Sequence, residues 1–258
     1  MNYFKQLILG TVTILLLFML SACGSSSSDG SGSSSTDPTT DSTVSGVVID
    51  GYLQDAEVFL DCNNNLERDL DESSYRTGED GSYTLDLPDN ASQCAVVAVG
   101  IAGQTWEHFD NGSSSEQLKD NLTMVSVDNG SYRVISPFTS LHWYYMNNDN
   151  YSMTFEEARN QVRQELGLPS GNAVFEDFVA RAGDNNSYQN MVQTSLRMGE
   201  YMGYYCSQDN STDNMTVKMR NTFRYMHQNV GMDNFTDNNI QPGRMDERFP
   251  VRMGNMQQ

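Results

Sequence analysis

Histidine is scarce in this chain. There are three, His108, His142 and His227, too few and too scattered for an HExxH pair or a zinc cluster. Cysteine is limited to Cys23, Cys62, Cys94 and Cys206, and no CxxC spacing occurs, which excludes a dithiol redox motif. Nucleophile-elbow, phosphate-loop and dinucleotide-binding patterns are also missing. Basic residues are few, 15 Lys and Arg against 34 Asp and Glu, for a net charge of −19. A chain this acidic repels nucleic acid and anionic headgroups, so its electrostatic partners are cations. The same acidity serves solubility.

What is present first is an address. Lys5 precedes an apolar run from Leu7 to Leu20, which is followed by Ser21-Ala22-Cys23-Gly24. The run is short for a spanning helix, which needs about 20 apolar residues, and small residues follow it at once. Leu20-Ser21-Ala22-Cys23 reads as a lipobox. Residues 1–22 are then a lipoprotein signal peptide, and Cys23 becomes the first residue, carrying acyl chains such as palmitate. Stable anchoring takes more than one chain, because each buried CH₂ contributes about 0.8 kcal/mol. Gly24 in place of aspartate after the cysteine fits sorting to the outer membrane. Residues 23–43 form a tether of Ser, Gly, Thr and Asp that cannot bury enough apolar surface to order itself.

Residues 44–135 read as β. Ala56, Val58 and Leu60 alternate on one face, Tyr83, Leu85 and Leu87 alternate more cleanly, and Ala95 to Val99 is a continuous apolar run. Short strands separated by turn signals point to a sandwich. Cys62 ends one expected strand and Cys94 begins another, which makes Cys62–Cys94 the preferred disulfide of an exported chain. A pairing that uses Cys206 stays open.

Between two of these strands, Asp61, Asn63, Asn65, Glu67, Asp69 and Glu72 occupy positions 1, 3, 5, 7, 9 and 12 of an EF-hand-like spacing. Calcium takes six to eight hard oxygens, and a wrapping backbone brings alternate side chains to one centre. Glu72 is the long residue that position 12 requires, and position 7 uses its carbonyl, so the Glu67 side chain is not needed. Leu66 departs from the usual glycine at position 6. The expected role is structural.

Asp50-Gly51-Tyr52, then Ala56 to Asn65, then Thr77-Gly78-Glu79-Asp80-Gly81-Ser82-Tyr83-Thr84-Leu85 together resemble bacterial surface modules of the carboxypeptidase-regulatory-like and B-repeat type. The resemblance covers about residues 44–100. It implies a prealbumin-like or immunoglobulin-like β-sandwich stabilised by calcium, with a structural or adhesive role. Val134 to Leu141 is similar to a segment that follows such modules in proteobacterial lipoproteins.

Residues 136–232 read as a small helical domain. Thr154 and Glu157 form a capping box for a helix running to about Leu166, where Gly167 and Pro169 stop it. Further helices are predicted over Ala173–Ala182, Tyr188–Tyr205 and Asp213–Asn229, and residues 233–258 read as a polar, loosely ordered tail. Methionine is abundant, with 15. Met191, Met198 and Met202, and Met215, Met219 and Met226, fall at helical spacing, which makes a core stripe the leading reading and Cu(I) ligation a minor one.

The expectation is therefore an α+β chain anchored through Cys23 to a bacterial membrane, facing periplasm or surface. A prealbumin-like or Ig-like β-sandwich with calcium bound by Asp61, Asn63, Asn65, Glu67, Asp69 and Glu72 precedes the helices. The expected role is non-enzymatic, in adhesion, assembly or binding of carbohydrate or protein. The alternative is a hydrolase of an envelope polymer, with paired carboxylates near Trp106 or Trp143 and Glu107, His108 and Asp110 as an acid–base set.

Overall fold

The computed structural model describes residues 43–87, 94–109, 114–128, 130–150 and 152–237. The leader, Cys23, the tether through residue 42, Asp110 and residues 238–258, with Met245, Met253 and Met256, lie outside the described residues.

The chain is α+β, with strands first and helices after. The strands are β1 (Thr43–Val48), β2 (Tyr52–Gln54), β3 (Glu57–Asp61), β4 (Ser74–Arg76), β5 (Ser82–Asp86), β6 (Ala95–Gly100), β7 (Trp106–Phe109), β8 (Ser114–Gln117), β9 (Leu122–Ser126) and β10 (Tyr132–Ile135). They make three sheets, ordered β10-β1-β5, β2-β7-β8 and β4-β3-β6-β9. All pairings are antiparallel except β1 with β10.

Side-chain patterns explain these positions. β5 alternates, with Tyr83 and Leu85 inward, as a half-buried strand does. β6 is apolar on both faces and lies between β3 and β9. Gly46 on β1 is required by close approach, because a Cβ there would stand 1.8 Å from the Arg133 carbonyl oxygen on β10.

The helices are α1 (Pro137–Met146), α2 (Phe155–Glu165), α3 (Asn186–Gln208), α4 (Met215–Tyr225) and α5 (Asp233–Thr236). Ser136 caps α1 through a reciprocal pair with Thr139, and Pro137 follows at the first helical position, where its missing N–H costs nothing. Nine of the ten α1 residues are buried, which marks a helix enclosed on all sides. One of its tasks is to cover the free edge of β9: the Val125 N–H donates to Ser140 Oγ at 3.0 Å, satisfying a donor that would otherwise offer the edge to another chain. α2 begins with the Thr154–Glu157 capping box that its spacing predicts.

Two expectations are corrected. The helix predicted over Ala173–Ala182 is only a short 3₁₀ turn at Asn172–Phe175. Glu176 is extended, and the Asp177 carboxylate accepts the Ala180 N–H at 2.9 Å and the Tyr52 hydroxyl at 3.1 Å, so a side-chain turn replaces the helical ladder. The start of the predicted loose tail is also packed. Phe235 is fully buried, and its carbonyl accepts the buried Arg197 Nη1 at 2.6 Å.

Strands and helices share one buried core. Met191, Met198 and Met202 on α3, Met219 on α4 and Met226 beyond it all lie inside it.

Candidate functional site

The loop from β3 to β4 is built by its own side chains. Asp61 accepts the Asn65 N–H on Oδ1 at 3.2 Å and the Leu66 N–H on Oδ2 at 2.9 Å. Asn63 Oδ1 accepts the Asn65 N–H at 3.1 Å, and Asn65 Oδ1 accepts the Glu67 N–H at 2.8 Å. These short-range turns are what Asp and Asn offer a backbone that leaves regular structure. Glu72 closes the loop, taking the Cys62 N–H at 3.3 Å and the Asp69 N–H at 3.0 Å on its two oxygens. The amide nitrogens of Asn63 and Asn65 both donate to Asp69 Oδ2, at 2.6 and 3.1 Å. Asp61, Asn63, Asn65, Asp69 and Glu72 thus form one hydrogen-bonded ring, with amide N–H groups supplying the positive pole.

The ring's donor chemistry suits a hard cation. Three carboxylates and two amide oxygens, each amide oxygen with a second lone pair, match the oxygen preference of calcium. Among the described residues no three His, Cys, Asp or Glu side chains converge tightly enough to hold a metal by themselves. A calcium ion held here would have to draw on Asn63 and Asn65 as well as on the acids.

The two irregular members of the spacing face the other way. Leu66 has φ +59° and is 1% exposed. It adopts the left-handed backbone a glycine would, at roughly 1–2 kcal/mol, and offsets it by burying a leucine, about 1.5–3 kcal/mol. Glu67 reaches the N-terminus of α4, where its Oε1 accepts the Met215 N–H at 3.1 Å, a favourable place for negative charge. Between ring members, Asn64 accepts the Trp143 indole N–H at 3.2 Å, and its carbonyl accepts the Thr216 hydroxyl at 3.0 Å. Asp61, Asn63, Asn65, Asp69 and Glu72 build the ring, while Asn64 docks it on α1 and α4, Glu67 docks it on α4, and Leu66 is buried in the core. Beside the loop, a disulfide joins Cys62 to Cys94, leaving Cys206 free on α3, where burial pushes its thiol up.

A second cluster lies where the β1–β2 turn meets α3. Asp50 is 2% exposed and Glu107 on β7 is 7% exposed. Asp50 Oδ1 accepts the Ser195 hydroxyl at 3.1 Å, and Glu107 Oε1 accepts the Gly51 N–H at 2.8 Å. Burial, then mutual repulsion, raises Asp50 well above the usual carboxylate range. Burial, with charge repulsion from Glu116 and Glu200, pushes Glu107 up to about 7. α3 presses directly on the pair: a Cβ at Gly199 would lie 1.8 Å from Asp50 Oδ2.

Trp143 is fully buried, and Trp106 is partly exposed on β7 beside the inward-facing Glu107. His108 pairs with Gln54 at 2.8 Å. His142 is wholly enclosed: it meets Phe155 and Phe175 edge-on and contacts the Phe155 carbonyl at 3.0 Å. Burial pushes its imidazole below the ordinary value.

No family model, curated protein or solved structure matches this chain. Among the described residues no helix is long and apolar enough to cross a membrane.

Sequence reasoning missed the partnership of Asp50, Glu107 and Ser195. Its one local signal is Gly199, an isolated glycine within a helical pattern, which marks a close approach.

Proposed function

We propose that this chain is a lipid-anchored, non-catalytic envelope module, held through Cys23 at the outer membrane and stabilised by calcium in the Asp61–Glu72 loop. Its strands are read as a prealbumin-like or Ig-like sandwich. Its role is adhesion, assembly or ligand binding at the cell surface, and Trp106, Tyr75 and Tyr132 are exposed aromatics suited to carbohydrate or protein. The observation that carries the reading is the ring of oxygen-bearing side chains at Asp61, Asn63, Asn65, Asp69 and Glu72, whose intervening residues dock two helices. A cation there shields mutually repelling carboxylates and fixes the seat of α1 and α4.

The competing reading, a hydrolase, would draw on Asp50 and Glu107. Their shifted ionisation suits acid–base chemistry, but both lie beneath α3, out of reach of a polymer.

The test is calcium titration by calorimetry of the full, detergent-solubilised chain, with melts in calcium and in chelator. The reading expects about one ion per chain and a higher melting temperature in calcium. No heat and no shift would reduce the loop to a solvated acidic turn. Loss of acyl labelling in Cys23→Ala tests the anchor.

A further inference from the structure

Tyr145 near the end of α1, Glu165 at the end of α2 and His227 in the π turn Met226–Val230 come together from three directions. The Tyr145 hydroxyl donates to Glu165 Oε2 and lies 2.7 Å from His227 Nε2. His227 Nε2 is 3.1 Å from Glu165 Oε1. His227 Nδ1 is 2.7 Å from the Phe223 carbonyl, and the Tyr144 ring stacks on the imidazole at 5.5 Å. The π turn sets this up, because its wider spacing rotates His227 toward α1 and α2; such turns frequently mark functional positions.

Counting protons decides the state of the cluster. Nδ1 faces a carbonyl, which only accepts, so Nδ1 carries a hydrogen. The single Tyr145 hydroxyl hydrogen is directed to Glu165 Oε2. A bare Nε2 would then face the Tyr145 oxygen and an ionised Glu165 oxygen with no hydrogen between them. One added proton resolves both contacts, since an Nε2–H donates to Glu165 and Tyr145 together.

We propose that Tyr145, Glu165 and His227 form a proton-operated clasp. One extra proton, shared between the His227 imidazole and the Glu165 carboxylate, fastens the turn after α4 to α1 and α2, and its loss at alkaline pH releases that turn. Among the described residues, the titratable groups facing His227 are Tyr144 and Tyr145 from α1 and Glu165 from α2. Arg224, three residues back on α4, is directed to Asn221 and Asp149. Burial alone would disfavour the imidazolium, but the hydrogen bonds to Glu165 and the Phe223 carbonyl outweigh it and raise His227 above its ordinary value. The clasp's stabilisation is therefore complete below the unfolded imidazole value, about 6.5, and is lost as pH rises through the higher folded midpoint. It fastens the two helices that seat the Asp61–Glu72 loop, and it requires no ion in that loop.

The experiment is a pH titration, by NMR, of the detergent-solubilised full chain labelled in its histidines, with H227Q identifying the resonance. The expected result is a His227 midpoint above about 6.5, lowered by a unit or more in E165Q, with a melting temperature that falls across the wild-type titration and falls less in E165Q. A midpoint at or below the ordinary value, one that E165Q leaves in place, or a melting temperature that ignores it would overturn the proposal. Should H227Q fail to fold, H108Q and H142N identify the other two resonances, and the E165Q comparison decides.

Discussion

Two acidic joints connect strands to helices in this protein, and they handle negative charge in opposite ways. At the Asp61–Glu72 loop the carboxylates share a ring with amide N–H donors, and Asn64 and Glu67 attach that ring to α1 and α4 while Leu66 is buried in the core. At the Asp50–Glu107 joint the carboxylates are themselves the buried element, seated under α3 against Ser195 and Gly199. Burying an uncompensated carboxylate is costly, so a buried group shifts its ionisation instead. On the proposed reading a cation neutralises the loop, whereas the buried pair takes a proton. Burial alone does not separate them, since Asp61 and Asp50 are each 2% exposed; Asp61 accepts two backbone N–H groups, whereas Asp50 accepts one hydroxyl beside a second carboxylate.

The largest expected effect breaks the attachment at the loop. Leu66→Ala removes a side chain 1% exposed, and large-to-small core changes of this kind cost about 2–5 kcal/mol. Leu70, in the same loop, is 102% exposed, so Leu70→Ala should stay within about 0.5 kcal/mol. Denaturant unfolding of the two variants checks this, and equal losses would mean that Leu66 anchors nothing.

Calcium comes next. At a hundredfold excess over its dissociation constant, an ion bound only by the folded state adds about 2.7 kcal/mol. Glu72→Gln should abolish that increment and Glu107→Gln should leave it intact. Equal loss in both variants would show that the joints are not chemically distinct.

How much of this contrast was legible in the sequence depends on separation along the chain. The loop ring is local: Asp61 to Glu72 announces itself by spacing, as do the Thr154–Glu157 box and the alternation of β5. The Leu66 departure was visible, but not its meaning, since only the fold shows that the side chain is buried in the core. α1 could have been found from Ser136-Pro137 and Thr139, yet its aromatic run lacks a polar face and gives no helical period. β7 and β8 carry too many polar residues to stand out as strands. Glu107 meets Gly51 across 56 positions, and Ser195 meets Asp50 across 145, so no local pattern encodes the acid pair. The Tyr145–Glu165–His227 cluster is likewise assembled only by packing three helices.

The deeper joint has its own prediction, with a definite sign. Glu107 is raised to about 7 by burial and nearby carboxylates, so between about pH 4 and 7 the folded state binds more protons than the unfolded chain, and stability falls as pH rises through that window. Glu107→Gln removes the ionisation. Relief of about 3 kcal/mol, less about 1 kcal/mol for a new buried amide N–H, leaves a gain of about 2 kcal/mol at pH 8, and at pH 4, with no charge to relieve, a loss of about 1 kcal/mol. Melting temperatures of variant and wild type across this range should therefore diverge toward alkaline pH. Parallel curves would mean that Glu107 is ionised at little cost and that the two joints treat charge alike.

The smallest effect isolates the loop's hold on α4. Glu67 takes no part in the ring, and its carboxylate meets the Met215 N–H at the helix start. Glu67→Gln keeps an acceptor oxygen but removes the charge, so it should cost only the helix-dipole contribution, about 0.3–1 kcal/mol, and less in high salt. Because the residue faces away from the ring, the variant should keep its full calcium increment. A fall in calcium affinity on Glu67→Gln would instead place that side chain among the ligands and erase the division between ring-building and helix-docking positions.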